Sequence, residues 1–310
     1  MTDSSSDSLG SAHSYTATLR SRDSIRIHYL EHNPAPASSI KGTVLLLHGF
    51  PQSSHQFRHV LPLLSQNGGY RCIAPDLWGV AGSSPPPGSA AGFTKSSIAA
   101  DVHALIVEHL QISDRIHVVG HDIGGMVAHA YASRYADEVA SVTWGECPLP
   151  GTSSFDEDMG TIRQFHFAFQ AVPDLPELLV TGRERLYLTH FFDKLVYNAA
   201  AIRAEDVDEY VRAYERPGAM RCAFATYAAF QLDKEENSRW LREQGKCKVP
   251  TLMLSGEHSD HAGVAEQMGG EMYKRVACAI VENAGHYIAE ENPGMFAQKV
   301  LEFIDKHHGQ

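Results

Sequence analysis

Gly120-His121-Asp122-Ile123-Gly124-Gly125 follows a short apolar run, Ile116 to Val119, and precedes a helical pattern that runs towards Tyr135. The order is strand, sharp turn, helix, with a reactive side chain at the apex. In so tight a turn, side chains at positions 120 and 124 would collide with neighbouring backbone. The apex of the G-x-S-x-G form of this turn is serine; here it is Asp122. A carboxylate does not perform serine-type acyl transfer. It attacks an sp³ carbon that bears a leaving group, such as an epoxide carbon or a carbon–halogen bond, and forms an enzyme ester. The plainer alternative, that Asp122 caps the helix beginning near Gly124, leaves the flanking glycines unexplained.

Hydrolysing that ester takes a general base. His286, in Asn283-Ala284-Gly285-His286-Tyr287, lies just past the last predicted strand, and that position singles it out among eighteen histidines. An imidazole suits the task because its pKa lies near working pH. It needs an acidic partner to fix its tautomer. Glu146, beyond the predicted strand Ser141–Trp144, and Asp260, beyond Thr251–Ser255, both stand in position for this. The backbone N–H groups of Phe50 and Ile123 are expected to receive the negative charge on the Asp122 carboxyl as the ester is hydrolysed. Phe50 lies in His48-Gly49-Phe50-Pro51, whose plainer reading is an ordinary strand-to-loop turn. His258 to His261, and His55 with His59, suggest metal ligands, but two ligand-type side chains do not close a site. No metal and no cofactor are expected.

These residues need a scaffold that brings strand ends together. Tyr15–Arg20 and Ile25–Leu30 read as an antiparallel hairpin around Ser21-Arg22-Asp23-Ser24. Val44–Leu47, Arg71–Ala74, Ile116–Val119 and Ser141–Trp144 read as buried strands that alternate with helical stretches, notably Ser54–Leu64 and the run from Ile98 to Leu110. Ser83–Gly92, rich in Pro, Ser, Gly and Ala, reads as a loop. Repeated strand–helix alternation implies a mostly parallel sheet flanked by helices, with its ligand crevice at the carboxyl ends of the strands. His48, Asp76, Asp122 and Glu146 all follow predicted strands and so share that edge. The alternation stops at Cys147. Up to about Lys246 only helical stretches appear, among them Ile162–Gln170, Glu184–Tyr197 and Val207–Ala213. Strands return at Thr251–Ser255 and Ala279–Val281, and a last helix spans Gly294–Lys306. The division expected is a tail over residues 1–14, a core over 15–146 and 248–310, and a helical cap over 147–247.

Composition narrows the function. A net charge of −11 over 310 residues argues against nucleic acid and anionic membrane surfaces. An apolar fraction of 43% and a charged fraction of 20% suit a globular enzyme, and no apolar run approaches the roughly 20 residues of a membrane helix. Met1–Ser14 is rich in Ser and Asp without an apolar signal core, which reads as a disordered tail and a cytoplasmic protein. Five cysteines without close pairing read as reduced thiols.

Together these motifs resemble the α/β-hydrolase superfamily, and within it the Asp-nucleophile branch of epoxide hydrolases and dehalogenases. The resemblance runs from about Tyr15 to the end of the chain and rests on H-G-F-P and G-H-D-I-G-G in combination. The inserted segment is most similar to the Cif-type epoxide hydrolases. Their triad acid lies in E-x-P-x-P, matched by Glu146-Cys147-Pro148-Leu149-Pro150, so the resemblance favours Glu146 over Asp260. Their cap histidine lies in H-F-x-F, matched by His166-Phe167-Ala168-Phe169, and their cap tyrosine maps to Tyr227. Gly182-Arg183-Glu184-Arg185-Leu186 also resembles that subgroup. The resemblance implies that His166 and Tyr227 hold the epoxide oxygen as it gains charge, and His48, Phe167 and Phe169 are expected at the substrate pocket. Fluoroacetate dehalogenases share the cap histidine and tyrosine but carry arginines where this chain has Ile123 and Met126, and tryptophan where it has Phe167. A carboxylate substrate would lack its bidentate partner here. The loop that reads D-x-x-G-x-G-x-S in the family appears as Asp76 to Ser83 with Ala81 in a glycine slot.

The function expected is therefore hydrolysis of a small apolar epoxide by water to a vicinal diol. A haloacid or haloalkane dehalogenase is the enzymatic alternative, and a non-catalytic ligand-binding protein on the same fold the other. Neither nucleic acid nor membrane is expected as a partner; a homodimer is compatible with the chain.

Overall fold

The computed structural model describes residues 12–19, 25–36, 40–86 and 90–309. Residues 1–11 of the expected tail, and the turn at 21–24, lie outside the described residues. His13 and Ser14 do not belong to a tail: they begin β1 (His13–Leu19), paired antiparallel to β2 (Ile25–His32) in the expected hairpin.

Among the described residues, eight strands form one sheet in the order β1-β2-β4-β3-β5-β6-β7-β8, with β3 (Gly42–Leu47), β4 (Tyr70–Pro75), β5 (Ile116–His121), β6 (Val139–Gly145), β7 (Thr251–Gly256) and β8 (Val276–Val281). From β4 to β8 every pairing is parallel; β2 joins β4 antiparallel. The continuous apolar runs reflect burial on both faces. Along β3, Leu45 and Leu47 face one core with Val118 and Val142, while Val44 and Leu46 face a second with Val119 and Leu254.

The run after β3 is helical but broken: a 3₁₀ turn at Ser54–Phe57, the short α1 (Val60–Pro62), then a π turn at Leu63–Asn67. Of the stretch expected as a loop, Ser83–Gly92, residues 87–89 lie outside the described residues, and its end belongs to a 3₁₀ turn at Ala90–Phe93. Next come α2 (Lys95–Ala104), capped by the Thr94 side chain, and α3 (Ile123–Arg134) behind β5. Between β6 and β7 the described chain forms helices alone: α4 (Ser153–Asp158), α5 (Phe165–Ala171), α6 (Leu175–Val180), α7 (Glu184–Leu195), α8 (Ala204–Tyr214), α9 (Ala219–Ala228) and α10 (Phe230–Gln244). α11 (Ala265–Met272), α12 (Ile288–Glu291) and α13 (Pro293–His307) complete the fold.

The β5–α3 turn is as tight as the sequence demands. A Cβ at Gly120 would lie 2.2 Å from the carbonyl oxygen of Gly124, and one at Gly124 would lie 2.1 Å from that of Leu47. Helix and strands approach at distances that exclude a side chain.

Candidate active site

Asp122 sits between β5 and α3 with φ 55° and ψ −126°, a left-handed conformation that a residue with a side chain rarely adopts. Glu146, just past β6, has φ 61°. Each such residue stores on the order of 1–3 kcal/mol that the surrounding fold must offset. For Asp122 the turn is held by its own N–H, which donates to Gly145 O at 3.1 Å, and by its carbonyl, which accepts from Gly125 N at 2.7 Å. The side chain makes no helix-capping bond, so the capping alternative does not describe it.

The carboxylate instead points over the sheet edge. Phe50 N–H donates to Asp122 Oδ1 at 2.9 Å, and the Ile123 amide, next in the chain, acts on the carboxylate electrostatically. Asp122 Oδ2 lies 4.0 Å from His286 Nε2. On the far side of the ring, His286 Nδ1 meets Glu146 Oε2 at 3.2 Å. The tautomer that donates from Nδ1 to Glu146 leaves Nε2 free to accept a proton next to Asp122. His286 itself is held by its backbone: its N–H donates to Leu195 O at 3.1 Å, and His121 Nε2–H donates to its carbonyl at 2.7 Å.

Burial dominates the electrostatics. It pushes the Asp122 carboxyl up to about 7, while the Ile123 and Phe50 amides pull the other way. Glu146 is likewise raised to about 7 by burial, opposed by His261, by Ser259 Oγ–H on Oε2 (2.6 Å) and by Gly256 N–H on Oε1 (2.9 Å). Burial holds His286 down to about 4, with the Lys194 ammonium acting in the same direction. The imidazole is therefore neutral at neutral pH, the form that takes a proton.

The inserted helices close the site from the other side. His166 on α5 and Tyr227 on α9 are buried with ring centroids 5.6 Å apart, and Tyr227 lies edge-on to Phe50 at 5.7 Å. Among the described residues, His166 Nδ1 finds no hydrogen-bond partner although it is buried, a state that costs free energy unless a ligand supplies the partner. Burial, with Lys194, His286 and His190 adding to it, holds His166 down to about 3. Burial and then the charge of Asp122 push the Tyr227 phenol well above its ordinary value, so it remains a donor. A cavity of ≈30 Å³ lies beside the turn, walled by Phe50, Trp78, Ile123, Ala223 and Tyr227 among others. Beyond His286 a polar cavity of ≈100 Å³ is bordered by Arg163, Lys194, Asp260 and His261, polar enough to hold water.

Asp260, Phe167 and Phe169 stand elsewhere than expected, while His48 lies at the cavity as a brace. Asp260 does not serve His286: its side chain is 67% exposed and pairs with Arg163 Nη1 at 3.0 Å, whereas Glu146 is 1% exposed and bonded to the imidazole. His48 borders the cavity, but both ring nitrogens are spent on backbone: Nδ1 contacts Gly49 O at 3.0 Å and Nε2 accepts from Leu77 N–H at 2.9 Å. It braces two loops. Phe167 packs behind Tyr227, against Phe155 and Phe230, and Phe169 is half-buried against Tyr187; neither borders the cavity. His55 pairs with Asp206 at 3.1 Å, and His258 stacks on Tyr197. Ser259 and His121 position Glu146 and His286, and nothing in the sequence marks them as site residues: Ser259 is a serine inside His258–His261, and His121 a histidine beside the apex.

Residues 42–293 match the model of the α/β-hydrolase fold family. The chain belongs to that family. A soluble epoxide hydrolase from Corynebacterium sp. (strain C12) is 32% identical to this α/β hydrolase over 267 residues, 84% of this chain and 89% of the relative. A fluoroacetate dehalogenase from Burkholderia sp is 30% identical over 224 residues, 69% of this chain and 70% of the relative. The crystal structure of Cfl2 from Burkholderia cenocepacia is similar with a TM-score of 0.82 and 31% identity, covering 96% of this chain and 97% of that one. The Cif epoxide hydrolase from Acinetobacter nosocomialis superposes with the same TM-score of 0.82 over 95% and 89% of the two chains, but at 18% identity the likeness is one of fold. No helix among the described residues is long and apolar enough to cross a membrane.

Proposed function

We propose that this α/β hydrolase opens epoxides to vicinal diols through an ester on Asp122. The observation that carries the reading is the Asp122 carboxylate held by the Phe50 amide and facing an imidazole whose far nitrogen rests on Glu146. One oxygen of Asp122 attacks the less hindered epoxide carbon; the new C–O bond forms as the ring C–O bond breaks. The electron pair goes to the epoxide oxygen, where His166 and Tyr227 stabilise it by hydrogen bonding. Water then attacks the ester carbonyl carbon while His286 Nε2 takes its proton and Glu146 stabilises the imidazolium. The tetrahedral oxyanion lies against the Phe50 and Ile123 amides. Its collapse breaks the ester; His286 hands the first water proton to the oxygen released from the ester, the second water proton passes from the Asp122 carboxyl to the alkoxide formed from the epoxide oxygen, and Asp122 returns as the carboxylate. We read 147–247 as a cap over a core of 15–146 and 248–310, since it carries His166 and Tyr227 to the sheet edge. The substrate is a small apolar epoxide, in keeping with the phenylalanine, tryptophan and tyrosine walls.

The 30% identity to a fluoroacetate dehalogenase makes halide displacement the second reading. Against it, Ile123 and Met126 are buried apolar residues beside Asp122, so neither position supplies a guanidinium to pair with a carboxylate substrate. A panel of styrene-type epoxides and haloacetates decides between them. Diol formation without fluoride release supports the proposal; fluoride release without diol replaces it.

A further inference from the structure

Lys95, the first residue of α2, is almost wholly buried, and the chemistry above makes no use of it. Its ammonium donates to Asp233 Oδ2 at 2.7 Å and to the carbonyl of Thr226 at 2.6 Å, and its backbone N–H donates to Asp233 Oδ1 at 2.8 Å. One core residue thus grips both α9 and α10. We propose that Lys95, with Asp233, is a positioning residue for the alkylation step, holding Tyr227 where its hydroxyl meets the epoxide oxygen. The inference rests on the function proposed above.

Three features support it. Thr226 directly precedes Tyr227 in the last turn of α9, where carbonyls lack intrahelical partners and the helix dipole favours a cation. Lys95 supplies that cation and fixes the turn that bears the phenol. The ammonium also lies 4.5 Å from the centroid of Phe230, and Phe230 packs 4.9 Å from Tyr227 and 5.1 Å from Phe167. The tyrosine is therefore held through its backbone and through its ring. Finally, burying a lysine and an aspartate is costly and often contributes less stability than apolar residues of similar volume. Apolar packing would pin α10 to the core, but it would not bond the Thr226 carbonyl.

The test is a double-mutant cycle between Lys95→Met and Tyr227→Phe, with formation and hydrolysis of the Asp122 ester followed separately by rapid quench with a styrene-type epoxide. Measurements at pH 8.5 keep Asp122 ionised, so that loss of a nearby cation does not act through the nucleophile. Lys95→Met should slow ester formation about tenfold and leave ester hydrolysis within about twofold; on the Tyr227→Phe background it should add less than about twofold, the behaviour of two residues acting as a unit. Equal losses on both backgrounds, or equal losses in both steps, would overturn the proposal. If Lys95→Met does not fold, the charge-free pair Lys95→Met with Asp233→Leu replaces it in the same cycle, with the same criteria. Wild-type enzyme that turns over epoxide without an ester removes the functional reading and this inference together. Wild-type ester with an additive cycle removes the inference alone.

Discussion

On the sheet side of the site the reacting groups are already tied to partners. Asp122 Oδ1 receives the Phe50 amide, both oxygens of Glu146 are engaged by Gly256, Ser259 and His286, and the His286 backbone is bonded at its N–H and its carbonyl. On the helical side, His166 keeps a buried Nδ1 without a partner among the described residues, and Tyr227 is surrounded by the rings of Phe50, His166, Phe167 and Phe230. The difference matches the timing of charge. The carboxylate and the imidazole are present before substrate arrives and need fixed geometry. In the proposed reaction the epoxide oxygen gains charge only during ring opening, so donors for it would serve best when nothing else has claimed them. In this account the sheet side serves both steps and the helical side serves the first alone.

Substitutions can break that division, beginning with the largest effect. Asp122→Ala should abolish diol formation, with a loss of at least about 10⁴-fold, since no other group supplies the nucleophile; chromatographic diol assay reads it. If ligand binding and turnover survive, the site is not the one described. Tyr227→Phe should slow ester formation about 10²-fold, the worth of one donor to a developing oxyanion, while single-turnover ester hydrolysis stays nearly unchanged. A matching loss in hydrolysis would erase the distinction between the two sides. Ser259→Ala should do the reverse at smaller scale: hydrolysis slows about tenfold for one lost hydrogen bond to a charged group, and ester formation holds.

The smallest effects are those of pH. Asp122 attacks only as the carboxylate, so with its carboxyl raised to about 7, kcat/KM should climb as pH rises through 7 and level off above it. The same shift gives stability the opposite slope. A carboxyl with a folded pKa above its unfolded value binds its proton more tightly in the native state, so its contribution is lost as pH rises through about 7. Asp122→Asn should therefore raise Tm at pH 8, and this advantage should shrink at pH 5.5. A gap that does not depend on pH would assign the shift elsewhere.

How far the sequence carried this account depends on how local each feature is. β3 and β5 were legible because their apolar runs are buried on both faces, and the nucleophile turn because Gly120 and Gly124 leave no room for a side chain. The parallel sheet followed from the alternation of strands and helices. Choosing between Glu146 and Asp260 was another matter. Both follow strands, so position leaves them open; the E-x-P-x-P resemblance favours Glu146, and the chain's path in space sends Asp260 to Arg163 and Glu146 to His286. Phe169 has a residue type that suits a pocket, yet it packs on Tyr187; His48 does border the cavity, but residue type alone does not reveal that its ring nitrogens are taken by backbone. Lys95 opens an ordinary helix, and its partner lies 138 residues away. No spacing rule reaches that far.

The central claim is an alkyl ester on Asp122 that His286 clears, and His286→Gln tests it most directly. The variant keeps the nucleophile and both oxygen donors but lacks the base that activates water. Exposed to an epoxide and examined by intact mass, it should gain the mass of one epoxide, with the adduct on the peptide that carries Asp122. A folded variant that gains no mass, or carries the adduct on another peptide, would contradict the account.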